Sequence, residues 1–265
     1  MIITFDIDGR QLKYDASAPI DISMPLRFNG PQPNAFGVDA ATASTLGDTR
    51  DGSSVNFEQY TFIPHCNGTH TECVGHITDE RISVRDRLRD VMMPAVLVTV
   101  EPQVLSEPPA SAGGRFARDK VISAELLRRQ LSKVAATPPQ ALIIRTLPND
   151  DGKLTRRYDT DDIPPYFTAE AIGYIVGCGF RHLLVDLPSL DRLDDPALPA
   201  HRTFWHMEPG SREVNADTRL NSTITELIYV PNEVADGEYL LNLQIAPSDT
   251  DAAPSRPLLL SEPPA

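Results

Sequence analysis

The sequence predicts an α/β fold, a mixed sheet with helices packed on it, and three observations carry that prediction. Two apolar runs, AVLVTV at 95–100 and ALIIRT at 141–146, are continuous rather than alternating, as in strands covered on both faces. A helix followed by a strand then occurs twice: SAELLRRQLSKV at 123–134 before ALIIRT, and AEAIGYIVGC at 169–178 before HLLVDL at 182–187. Such an order implies parallel pairing through right-handed crossovers. Length and composition agree, because 265 residues with 41% hydrophobic and 23% charged side chains can bury a sizeable core,. A single domain over 1–265 is expected.

The elements follow in chain order. ITFDIDG and RQLKYD alternate apolar and polar around Asp8-Gly9, a dipeptide favoured in tight hairpin turns, so the chain opens on two antiparallel strands. From 19 to 52 the text is polar and broken by Pro, Asn and Gly, which predicts a long loop of the kind used for binding or as a lid. Residues 1–52 are therefore read as an N-terminal hairpin and a long loop. SVNFEQYTFIP at 54–64 alternates again. Ser123 and Thr168 stand at N-cap positions, and Gly179 can end the second helix,. TITELIYV at 223–230 and EYLLNLQIA at 238–246 give two further strands, separated by the turn-rich PNEVADG. The 24 prolines point to many fixed turns,. There is no internal repeat and no low-complexity segment.

Charge removes some function classes. With 37 acidic against 24 basic residues the formal charge is −13, which repels phosphate backbones and anionic lipid, and no basic cluster with interleaved aromatics overrides it. Nucleic acid is not an expected partner. No run approaches the roughly 18 apolar residues that span a bilayer, and no export signal is recognised, so a cytoplasmic protein is expected. Three cysteines, an odd number, argue against a disulfide framework,.

Residues 63–76 read IPHCNGTHTECVGH and hold three of the six histidines (His65, His70, His76), two of the three cysteines (Cys66, Cys73) and Glu72. A zinc- or manganese-type ion takes imidazole and carboxylate ligands from a rigid element. His70, Glu72 and His76 differ by even numbers, so on an extended segment all three face one side. His65 has the other parity and turns inward only if Asn67-Gly68 makes a bulge. The competing interpretation is a solvated loop whose histidines bind backbone carbonyls, and the density of candidate ligands favours a metal site. Two distant segments can complete it. PAHRTFWHM holds His201 and His206, and Glu226 is an acid inside the otherwise apolar TITELIYV, where an unpaired buried carboxylate is costly.

These blocks resemble the cyclase family of metal-dependent hydrolases, which includes kynurenine formamidase and isatin hydrolase. The family signature, His-x-Gly-Thr-His-x-Asp-x-Pro-x-His, is similar to Gly68-Thr69-His70, then Glu72, then His76. The segments ALIIRT, IPPYFTAEAIGYIVGCGFRHLLVDLPSLD, AHRTFW and TITELIYVPNEVADGEYLLNLQIAP extend the resemblance from about Phe57 to about Leu260. It implies a swivelling β/β/α fold, metal ligation by His70, Glu72, His201 and Glu226, and His76 as general acid/base. The family's first histidine falls on Cys66, its aspartate is Glu72 and its proline is Val74. Either the Cys66 thiolate or, by a shift of one residue, His65 fills the first ligand position. His65 is preferred because it keeps the ligand an imidazole. An insert at 207–221 is expected to cover the pocket.

The expected function is hydrolysis of a small amide, cyclic amide or ester by water activated on a divalent metal, Zn or Mn, in the manner of an arylformamidase. The expected partners are a small-molecule substrate and other copies of this chain in a homo-oligomer, with no nucleic acid and no membrane. The alternative is a non-catalytic metal- or ligand-binding member of the same fold, which has no need of His76. A closed structural zinc site fits less well, because such sites use four Cys or His ligands. Asp186 and Asp191 are read as acids that bind backbone amides, Phe204 and Trp205 as core, Cys73 and Cys178 as small buried hydrophobes, and DTDD at 159–162 as a solvated loop.

Overall fold

The computed structural model describes residues 1–7, 9–105, 118–133 and 140–263. A nine-stranded mixed sheet forms its centre. Met92–Val100, Ala141–Thr146, His182–Val185 and Thr223–Glu226 lie side by side in that order, each parallel to the next. Beyond Met92–Val100 the sheet continues antiparallel through Gly237–Asn242, Leu258–Leu260 and Ile20–Asp21. At the opposite edge His70–Glu72 pairs antiparallel with Thr223–Glu226, and Ala252–Pro254 pairs antiparallel with His70–Glu72.

The continuous apolar runs are explained by burial on both faces. Leu142 and Ile144, with Val96, Val98, Leu183 and Val185, pack against helices Ala124–Leu131, Ala169–Gly177 and Pro199–Trp205. The alternate residues Ala141 and Ile143, with Ala95, Leu97 and Leu184, join a second core that contains Ile22, Ile228 and Val234. The pleat sends neighbouring side chains to opposite faces, so a strand covered twice has no polar phase. Both helix caps form: Ser123 Oγ accepts from the Leu126 amide and Thr168 Oγ1 from the Ala171 amide, each at 3.2 Å. Gly179, with φ 88°, ends the second helix in the left-handed region,. Phe204 and Trp205 are fully buried.

Several elements differ from the sequence expectation. The N-terminal hairpin forms between Ile2–Ile7 and Arg10–Asp15, while Asp8 of its turn and Val134 of the first helix lie outside the described residues. The long loop contains Thr42–Gly47, which pairs antiparallel with Phe57–Thr61 as an exposed ribbon. Neither face of that ribbon meets a core, so nothing imposes a hydrophobic period on 42–47. TITELIYV stops being a strand at Glu226 because Leu227 takes φ 54° and turns the chain. Cys178 is exposed, not buried: it sits at the C-cap of its helix, past the face that meets the core. Among the described residues no helix is long and apolar enough to cross a membrane.

Candidate metal centre

The segment at 63–76 is not one extended strand. Pro64 opens a helical turn, Pro64–Asn67, and the Asn67 side chain accepts from the Ile63 amide at 2.7 Å. Gly68 is fully extended (φ 175°), His70–Glu72 is a strand, and Val74–Ile77 is a 3₁₀ turn. The even spacing therefore places only His70 and Glu72. His65 enters through the helical turn, without a bulge at Asn67-Gly68, and His76 through the 3₁₀ turn. A proline at the first helical position favours such a turn over a strand.

The other five predicted residues gather around Glu72, which is completely buried. Its Oε2 lies 3.0 Å from His65 Nδ1 and 3.9 Å from His76 Nδ1, and its Oε1 lies 3.2 Å from His201 Nε2. The sheet brings in Glu226, directly opposite His70 in the ladder. Glu226 Oε2 is 3.5 Å from His70 Nε2 and its Oε1 is 3.6 Å from His201 Nε2. Helix Pro199–Trp205 supplies His201. His65, Glu72 and His76 form one compact group of candidate donors, and His70, Glu72 and Glu226 form another. Cys66 belongs to neither, and burial together with the charge of Glu226 pushes its thiol up to about 11.

The hydrogen bonds fix which nitrogen faces inward. His70 Nδ1 lies 3.0 Å from the Gly68 carbonyl, which can only accept, so Nδ1 carries the proton and Nε2 presents a lone pair. That buried Nε2 has no hydrogen-bond partner. Glu72 Oε2 is likewise buried without a hydrogen bond, although His65 Nδ1 lies 3.0 Å away. On His201, Nδ1 is 2.6 Å from Asp191 Oδ2, which leaves Nε2 turned toward Glu72 and Glu226. Lone pairs and carboxylates that converge in a buried space repel one another unless a cation or protons lie between them. The residues present therefore fit a divalent cation with imidazole and carboxylate ligands.

Without a cation, protons fill that role. Burial opposes charge on His65, but Asp251 and Glu72 outweigh it and push its pKa up to about 10. His201 is likewise held well above its ordinary value against burial by Asp191, Glu226 and Glu72. Burial opposes the charge of Glu72 too, yet His76, His201 and His65 hold it well below the carboxylate range. Metal and protons compete for the same lone pairs.

Sequence reading missed Asp251. Its Oδ2 is 2.9 Å from His65 Nε2 and 3.4 Å from His76 Nδ1, although it is 186 residues from His65 and lies in an acidic, proline-bounded stretch that carries no motif. Asp191 binds backbone amides as expected, at Ala200 (2.6 Å) and His201 (3.1 Å), and adds the His201 imidazole. Asp186 accepts from the Thr146 amide and from Lys153 Nζ. His206 stays outside the cluster, exposed at the left-handed end of its helix. His76 and Asp251 line a cavity of about 520 Å³ with Arg81 and Ser83. Insert residues including Met207 and Asn215 line a different cavity of about 800 Å³, outside the helix that carries His201. The insert reaches the rim of the His76 cavity through Arg212, 3.5 Å from Asp79.

Known proteins are similar to this chain in sequence and fold. Residues 14–192 match the family model described as "Putative cyclase". The kynurenine formamidase of Bacillus anthracis is 26% identical over 250 residues, which cover 91% of this chain and 96% of that protein. Isatin hydrolase A from Labrenzia aggregata superposes with a TM-score of 0.65 at 17% identity, covering 93% of this chain and 94% of its own. A predicted metal-dependent hydrolase from Bacillus stearothermophilus superposes with a TM-score of 0.61 at 15% identity, covering 92% and 98%. Both solved structures share the mixed α/β fold.

Proposed function

The chain belongs to the cyclase family, and from that premise we propose that it is a hydrolase in which His65, His70, Glu72, His201 and Glu226 hold a divalent metal to cleave a small amide, cyclic amide or ester. The observation that carries this reading is the pair of buried, unpartnered atoms, His70 Nε2 and Glu72 Oε2, that belong to adjoining donor groups. Among the described residues neither has a hydrogen-bond partner, and a cation would engage both. Glu72 belongs to both groups and would supply a carboxylate oxygen to an ion held in either. A bound ion of the zinc or manganese class supplies Lewis acidity, which acidifies water and polarises a carbonyl.

The chain's own residues do the rest. Asp191 keeps Nδ1 of His201 protonated, and the Gly68 carbonyl does the same for His70, so both imidazoles present their lone pairs inward,. His76 is partly exposed and lines the cavity of about 520 Å³, where a substrate can reach it. It passes a proton to the leaving nitrogen or oxygen as the C–N or C–O bond breaks. The names kynurenine formamidase and isatin hydrolase denote cleavage of a formamide and of a cyclic amide, which supports a small C–N substrate here.

The test is a panel of aryl formamides, lactams and esters, assayed before and after dialysis against a chelator. Turnover of at least one class is expected to fall to background after chelation and to return with zinc or manganese. Full turnover by protein shown to be metal-free contradicts the reading.

A further inference from the structure

We infer that Asp251 is a positioning residue of this centre, its carboxylate fixing both the imidazole that holds the ion, His65, and the imidazole that moves the proton, His76. The inference rests on the metal-hydrolase reading above and assigns a residue outside the expected ligand set. Each inward-facing imidazole needs an acceptor on its outer nitrogen, which fixes the tautomer and raises the basicity of the inner one. His70 uses the Gly68 carbonyl and His201 uses Asp191. For His65 the nitrogen next to Glu72 is Nδ1, so Nε2 is the outer one, and the acceptor there is Asp251 Oδ2 at 2.9 Å. The same oxygen stands 3.4 Å from His76 Nδ1, which leaves Nε2 of His76 free for proton exchange. The His65 and His76 rings also stack, with centroids 4.2 Å apart, so one carboxylate can hold both.

The backbone holds that carboxylate in place. Asp251 adjoins the edge strand Ala252–Pro254, paired with His70–Glu72, and its carbonyl accepts from the Cys73 amide at 3.0 Å. The carbonyl of Thr250 accepts from the Val84 amide at 2.9 Å. Gly75 permits the contact. A Cβ there would lie 2.2 Å from the Ile82 carbonyl oxygen and 3.2 Å from Asp251 Cβ, so the turn that carries His76 approaches Asp251 this closely only without a side chain. Asp249 lines the same cavity but makes no ion pair with either imidazole among the described contacts, and it serves as the control.

The experiment measures zinc dissociation constants by chelator competition for wild type, Asp251→Ala, Asp251→Asn and Asp249→Ala, with thermal melting of each metal-free protein to verify folding. Asp251→Ala is expected to bind zinc about 10- to 100-fold more weakly. Asp251→Asn, which keeps an acceptor oxygen without the charge, falls between Ala and wild type, and Asp249→Ala matches wild type. Zinc affinities within twofold of wild type for both folded Asp251 variants overturn the inference while the metal-hydrolase reading stands. A wild type that binds no zinc removes both. Should Asp251→Ala fail to fold, the Asp251→Asn value decides.

Discussion

His76→Gln is expected to keep its metal and to lose about 10²- to 10⁴-fold in turnover, the usual contribution of a positioned acid/base. Gln cannot titrate, yet it can still reach toward Asp251 and Glu72, 3.4 and 3.9 Å from the His76 Nδ1 that it replaces. The packing around it therefore changes little while the proton carrier is removed. Occupancy and rate must be read on the same preparation. A variant that loses metal along with rate makes His76 a ligand of the group it forms with His65 and Glu72. A variant that turns over at the wild-type rate takes His76 out of the mechanism.

Glu72→Gln is expected to have the larger effect on the fold as well as on the metal. Glu72 is the one residue common to both donor groups, so its neutralisation removes an anionic ligand from each, and stoichiometric zinc binding is expected to disappear. In metal-free protein the same carboxylate is the buried anion among His65, His76 and His201. Removing one partner of a buried ion pair leaves the others uncompensated, at a cost of about 3–5 kcal/mol. The pH dependence has a definite sign. Because the folded pKa of Glu72 is depressed, its stabilisation is fully present above the ordinary carboxylate pKa and is lost as pH falls through the depressed value. Urea denaturation of metal-free wild type and variant at neutral pH measures the difference; equal midpoints and slopes contradict it.

Much of this molecule was legible in its sequence because the signals were local. Continuous apolar runs revealed the parallel strands, since a strand covered on both faces has no polar phase. Ser123, Thr168 and Gly179 marked helix ends by chemistry that acts within one turn. The site residues in 63–76 were visible as an improbable density of ligands, and Glu226 as an acid in an apolar strand. What was hidden was either conformational or distant. Even spacing places side chains on one side only in an extended chain, but Pro64 starts a helical turn, so His65 arrives by a route that counting residues does not describe. Asp251 had no local signal, because its role exists only once Ala252–Pro254 pairs with His70–Glu72. The strand Thr42–Gly47 was missed because no core faces it and its own sequence, TASTLG, carries no hydrophobic period.

Anomalous scattering at the zinc edge, from crystals of zinc-reconstituted protein, decides whether these side chains hold a divalent metal. A peak is expected about 2.0–2.2 Å from donor atoms of His65, His70, Glu72, His201 and Glu226. A peak about 2.3 Å from Cys66 Sγ, with His65 turned away, gives the first ligand position to the thiolate. No peak among these residues, in protein that nevertheless hydrolyses its substrate, means that they do not hold the metal.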